Sequence, residues 1–204
     1  TTRALLWTAV LAGAAVAPSC NIAGPAYYFI HGPEKTKKLY ELNPKKTAVV
    51  FVDDRANRVP RRATRVAIGE EAEKTLLHEK VVKDMVSAQS AIQAAGIDRD
   101  GKPAAITEVG AAVKADIVIY ATVDEFTLTR DGQTFTPTAS LRVKVVDAAQ
   151  GKRLWPENAS GQVVGVRLSP KTAELPTSTA ARFAAEDELA RQAGLEIAWL
   201  FFDH

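Results

Sequence analysis

Five arginines fall within eleven residues: Arg55, Arg58, Arg61, Arg62 and Arg65. Guanidinium forks at that density suit oxyanions, because each presents paired N–H donors to a phosphate or carboxylate. The stretch follows an apolar run, Thr47–Asp53, and precedes a helical pattern. It therefore lies where a strand hands over to a helix, at a carboxyl strand end, beside a partly positive helix N-terminus. Arg58, Arg61, Arg62 and Arg65 are candidate anion-binding residues, for a phospholipid headgroup, phosphate or an acidic partner. The competing reading is a solvated loop whose arginines pair with Asp53, Asp54 and Glu70. Nucleic acid fits poorly, since no aromatic side chains interleave with the arginines and the net charge is only +2.

Catalytic constellations are missing. His31, His78 and His204 stand in unrelated contexts, and no Gly-rich phosphate loop, nucleophile elbow, His-Glu-x-x-His helix or Cys/His ligand set occurs. Asp124 and Glu125 are adjacent on one strand, so they point to opposite faces and would not share a site. Asp98-Arg99-Asp100-Gly101 begins like a calcium loop. It continues with Lys102, Ala104 and Val109 where oxygen ligands are required, so a turn is expected. The expectation is a protein that is not an enzyme, with no metal and no cofactor.

The lone cysteine, Cys20, excludes an intramolecular disulfide. Before it, Arg3 is followed by the fourteen residues ALLWTAVLAGAAVA, in which only Thr8 is polar. That run is too short to cross a hydrocarbon core, which takes about 20 residues, and has the length of a signal-peptide apolar region. With Ala17-Pro18-Ser19 leading into Cys20, the chain resembles bacterial lipoproteins, whose signal ends in small residues before an acylated cysteine. The resemblance implies cleavage before Cys20, palmitate-type acylation there, and a membrane anchor. Asn21 in place of Asp implies the outer membrane. The expected organisation is a signal peptide at 1–19, a lipidated tether at 20–44 and one α/β domain at 45–204. Tyr27-Tyr28-Phe29-Ile30 in the tether suits either packing onto the domain or the membrane interface.

Thr47–Asp53 and Ile117–Val123 are continuous β-branched runs, as expected of strands covered on both faces. Between them, Thr64 is placed to cap a helix running to about Lys80, with Ile68, Ala72 and Leu76 inside and Glu70, Glu71 and Glu73 in water. A weak strand near Met85-Val86, a helix Ala88–Ala95 capped by Ser87, and a helix through Ile106, Val109 and Val113 follow. Beyond Val123 the pattern alternates, as in Leu141, Val143 and Val145, and predicts a three-stranded antiparallel meander with a turn at Asp131-Gly132. The last helix, about Ser178–Phe202, carries an inner stripe that includes Phe183, is interrupted by Glu186, and has Gly194 beside it for close helix-on-sheet packing. Leu195, Trp199 and Phe202 form a second apolar patch, a candidate partner surface unless Tyr27–Ile30 covers it. The fold class is α/β (α+β): a mixed sheet with parallel N-terminal strands and a C-terminal antiparallel meander, packed by about four helices including a long C-terminal one.

Val109-Gly110, Ala115-Asp116 and the Asp147/Gly151/Trp155 spacing, over roughly Thr47–Leu168, resemble the periplasmic α/β domain of bacterial envelope lipoproteins such as the curli-export and penicillin-binding-protein-activator lipoproteins. Ala121 stands where that pattern has glycine. The resemblance implies a binding or scaffolding role for envelope proteins, tethered to the membrane and facing the periplasm. A binding module for an anionic ligand, through the arginine-rich loop, is the alternative.

Overall fold

The computed structural model describes residues 35–96, 102–169 and 172–204. The leader with Cys20, the Tyr27–Ile30 patch, His31 and the Asp98–Gly101 turn lie outside the described residues. Thr36–His204 forms one compact unit. Its elements are β1 (Ala48–Asp53), α1 (Arg62–His78), β2 (Met85–Val86), α2 (Ala88–Ala95), α3 (Ile106–Val113), β3 (Ile117–Thr127), β4 (Thr138–Asp147), β5 (Arg153–Trp155), β6 (Gln162–Arg167) and α4 (Thr179–Trp199).

These strands make one mixed sheet in the order β2-β1-β3-β4-β5, and β6 also pairs with β4. The β2-β1-β3 half is parallel, and the rest is antiparallel. The mixed α/β architecture and the long C-terminal helix are as the sequence pattern predicts. The return strand of the meander is split into β5 and β6, which share the outer edge of β4.

Successive residues of the central strands enter different cores, as a side-chain period of two requires. Val50, Val52, Ile119 and Ala121 pack with Ile68, Leu76, Leu189 and Ile197 under α1 and α4. Val49, Phe51, Val118 and Tyr120 pack with Ala91, Ile92 and Val109 under α2 and α3. This double coverage is why β1 and β3 read as unbroken apolar runs.

The residues behind the family resemblance serve the fold, by bracing the backbone or by packing. The Asp147 carboxylate accepts the N–H groups of Ala149 (3.1 Å) and Gln150 (3.0 Å), and the turn closes through Gly151 at φ +66°. These N–H donors and Lys46 hold the Asp147 carboxyl below its ordinary range. Gly110 lets α3 approach this turn, for a Cβ there would lie 2.6 Å from the Ala148 Cβ. Asp116 accepts the Thr47 N–H at 2.9 Å. Trp155 stacks on Tyr40 and meets the edge of Phe201.

Several local expectations are corrected. Helix α1 starts at Arg62 with Arg61 as N-cap, so Thr64 lies fully buried in the first turn and does not cap it. The cause is Asp54, whose carboxylate accepts the N–H groups of Arg58 (2.9 Å) and Val59 (2.8 Å) and turns the chain early. Ser87 makes no side-chain cap to α2. Glu73 supplies the acceptor instead, at 3.1 Å from the Ala88 N–H. Glu73 is therefore half-buried, and that burial pushes its carboxyl up. Phe183 is 41% exposed and lies outside the core. Gly194 does meet a close neighbour, but it is α1 and not the sheet: a Cβ there would stand 2.5 Å from the Ile68 carbonyl oxygen.

The end of α4 is closed by residues 36–42, which belong to the expected tether. Thr36 and His204 exchange backbone hydrogen bonds, and the Leu39 and Tyr40 N–H groups both donate to the Leu200 carbonyl. The Asp203 carboxylate accepts the Lys38 N–H at 2.9 Å and faces Lys37 at 3.3 Å. These donors, the Lys38 N–H foremost, lower the Asp203 pKa. A carboxyl lowered in the folded state stabilises it above the unfolded pKa, about 3.9, and loses that effect as pH falls through the folded value. The melting temperature of the wild type should exceed that of Asp203→Asn by a constant margin between about pH 5 and 7, and the margin should vanish in more acid solution. Thermal melts across that range check it, and a margin that widens in acid would contradict it.

Candidate functional site

The arginine-rich loop folds into a pocket at the carboxyl end of β1. Its volume is about 410 Å³, and its lining is Asp54, Asn57, Val59, Pro60, Arg61, Arg62 and Arg65. The loop has a fixed course: the Asn57 N–H donates to the Asp54 carbonyl at 3.2 Å, and Asn57 takes the left-handed conformation at φ +49°. With both Asp54 oxygens receiving backbone N–H groups, Asp54 is a loop brace and not an arginine partner.

The four candidate arginines have three different fates. Arg61 is committed: Nε donates to Glu186 at 2.8 Å and Nη2 to Asp187 at 2.6 Å. Its guanidinium also covers the Phe183 ring, 4.1 Å from the centroid. Arg58 is exposed and does not line the pocket. Arg62 and Arg65 line it, and among the described residues their side chains make no hydrogen bond or ion pair; the Arg65 Nε is moreover buried without an acceptor. Helix α1 brings its N-terminus here with no side-chain cap and no acidic residue in its first turn. The helix dipole adds partial positive charge at that end. Of the pairings expected with acidic neighbours, Asp53 takes Arg55, at 2.7 Å.

Two features escaped the sequence reading. The Arg61–Glu186 pair spans 125 residues; its signal was a glutamate inside an otherwise apolar helix stripe, which has to find a cation. Tyr120 donates its hydroxyl to Asp53 at 2.6 Å. Burial and that bond push the phenol well above its ordinary pKa, so it stays a protonated donor. Asp124 and Glu125 are bound to different arginines, Arg142 and Arg130.

The apolar patch at the end of α4 is less open than expected. The helix stops at Trp199, so Phe202 lies past its end. Trp199 stacks on His204, rings 4.7 Å apart and 7° from parallel, and Phe202 meets the same ring edge-on. Leu195, Trp199 and Phe202 are all half-buried. Among the described residues, no helix is long and apolar enough to cross a membrane.

No protein-family model and no curated protein matches the chain. Among solved structures, it is similar to the PelC dodecamer protein of Paraburkholderia phytofirmans (TM-score 0.47, 15% identity, 83% of this chain and 96% of that one). It is also similar to the lipoprotein GNA1162 of Neisseria meningitidis (TM-score 0.41, 15% identity, 72% and 96%). The LpoB C-terminal domain of Salmonella enterica is a third (TM-score 0.37, 13% identity, 63% and 86%).

Proposed function

We propose that this chain is a lipid-anchored protein of the bacterial cell envelope, held at the outer membrane facing the periplasm, that works by binding and not by catalysis. The observation that carries the reading is the apolar run Ala4–Ala17 leading through Pro18-Ser19 into the only cysteine, Cys20. One acyl chain holds a protein marginally at about 0.8 kcal/mol per buried methylene, whereas two or three hold it nearly permanently. The non-catalytic part draws support from the polar groups of the sheet, since Tyr120, Asp53, Asp124 and Glu125 are all engaged in bonds within the fold.

Cys20→Ala should move the protein from the membrane to the soluble fraction of cells. Unchanged fractionation would refute the anchor.

The binding surface best supported is the arginine pocket, because Arg62 and Arg65 converge on it uncommitted. Recognition of an envelope protein through Leu195, Trp199 and Phe202 is the second reading, favoured by the apolar character of that patch. It stands second because His204 already covers two of the three rings and side chains involved.

A further inference from the structure

We infer that the pocket at the start of α1 takes a phosphate group, with Arg62 and Arg65 as its ligands and Arg61 as a positioning residue. The inference rests on the reading of this pocket as the binding surface and names its ligand class.

Four observations lead to it. The cavity is lined by three guanidinium groups, and among the described residues only Arg61 is neutralised by carboxylates. Arg62 and Arg65 are three residues apart on the first turn of one helix, where like charges repel unless an anion lies between them. The Arg65 Nε is buried without an acceptor among the described residues, so no carboxylate there competes for this guanidinium. Finally, the N-terminus of α1 reaches the same place uncapped and free of acidic residues in its first turn.

The choice of phosphate follows from acceptor geometry. A carboxylate presents its oxygens in a single plane, so two guanidinium forks and backbone N–H groups arriving from different directions cannot all meet it with good geometry. A tetrahedral phosphate has enough oxygens for two forks and for backbone N–H groups at the same time. The lining has no aromatic ring on which a base could stack, which disfavours nucleic acid. Val59 and Pro60 give the wall a small apolar part, suited to the carbon that carries a phosphomonoester. Arg61 reaches the pocket with Nε and Nη2 already bonded to carboxylates. Its guanidinium is held by Glu186, Asp187 and the Phe183 ring, which anchors the N-cap position next to Arg62.

The test uses the full chain, purified in detergent, and titration calorimetry with inorganic phosphate and with acetate. Phosphate should bind and acetate should not compete. Arg62→Gln with Arg65→Gln should weaken phosphate binding at least about tenfold, the equivalent of losing one charge-assisted contact. Arg58→Gln, outside the lining, should leave it unchanged, with thermal melts showing all variants folded. Cosedimentation of the full-length Cys20→Ala chain, which carries no acyl anchor, with phosphatidic acid vesicles against phosphatidylcholine vesicles distinguishes the source. Binding to the acidic vesicles that inorganic phosphate fails to displace points to a lipid headgroup, and displacement points to a free or soluble phosphate. Equal competition by acetate would overturn the phosphate assignment while leaving an anion pocket. Phosphate binding indifferent to Arg62 and Arg65, or no binding of any anion, would overturn the pocket as well. Neither result touches the Cys20 anchor.

Discussion

Gly194→Val is expected to destabilise the domain by about 3 kcal/mol, at the upper end of what overpacking costs. The position is where α4 crosses α1. A Cβ there would lie 2.5 Å from the Ile68 carbonyl oxygen, 2.8 Å from the Glu71 Cβ and 3.0 Å from the Ala72 nitrogen. Two of those neighbours are backbone atoms inside a helix, so they cannot rotate away, and the helices must separate. Separation opens the core that Leu189, Ala190, Ala193 and Ile197 share with Ile68, Ala72 and Leu76, all of them completely buried. Alanine tests the geometry more sharply. Helix propensity favours Ala over Gly by about 1 kcal/mol, so a Gly194→Ala protein should gain stability if the helices were not in contact. The expected outcome is a loss. In thermal melts the valine variant should fall by about 6–12 °C, at about 2–4 °C per kcal/mol for a domain of this size. Gly165→Ala serves as the control, because nothing lies within 4 Å of a Cβ there. An alanine variant at 194 that melts above the wild type would sink the packing argument.

How far the fold could be read in advance depends on whether its cause was local. Strands β1 and β3 were legible because coverage on both faces makes every residue apolar, and Val49 and Val50 serve opposite cores with the same side chain. Helix boundaries were less so. The true start of α1 depends on Asp54, eight residues upstream of Arg62, catching two backbone N–H groups. Phe183 was misread because an aromatic at core spacing is ordinarily inside, whereas this one is held under a guanidinium from another element. Residues 36–42 showed no pattern of their own. What they cover is the far end of the chain, and Thr36–His204 pairing has no signature in either segment. The site was half legible. Arginine density announced a cationic loop, but the division of labour within it depends on Glu186 and Asp187, residues more than a hundred positions away. Density alone could not remove Arg58 or commit Arg61.

Arg61→Ala should cost about 4 kcal/mol, and the reason is what it leaves behind more than what it removes. The Glu186 side chain is 8% exposed and that of Arg61 25%. Truncating one partner of a buried pair strands the other charge, for which about 3–5 kcal/mol is typical; the partial exposure of Arg61 favours the lower end. Loss of the contact with Phe183 adds about 0.5–1 kcal/mol at a site this open. Lysine should recover only part of the loss, since an ammonium cannot bridge Glu186 and Asp187 as a planar fork does. Replacing both charges, as Arg61→Leu with Glu186→Leu, should return stability to within about 1 kcal/mol of the wild type, because well-packed apolar pairs match buried ion pairs. Denaturant midpoints of the wild type, Arg61→Leu, Glu186→Leu and the double variant close a mutant cycle and give the coupling of the two sites. A double variant as unstable as Arg61→Ala would mean that the guanidinium holds the loop by its bonds to Asp187 and the Phe183 carbonyl, and that Glu186 is a bystander. Recovery would mean that the desolvated carboxylate is what makes Arg61 indispensable, and that the loop keeps its course because α4 carries a glutamate in its apolar stripe.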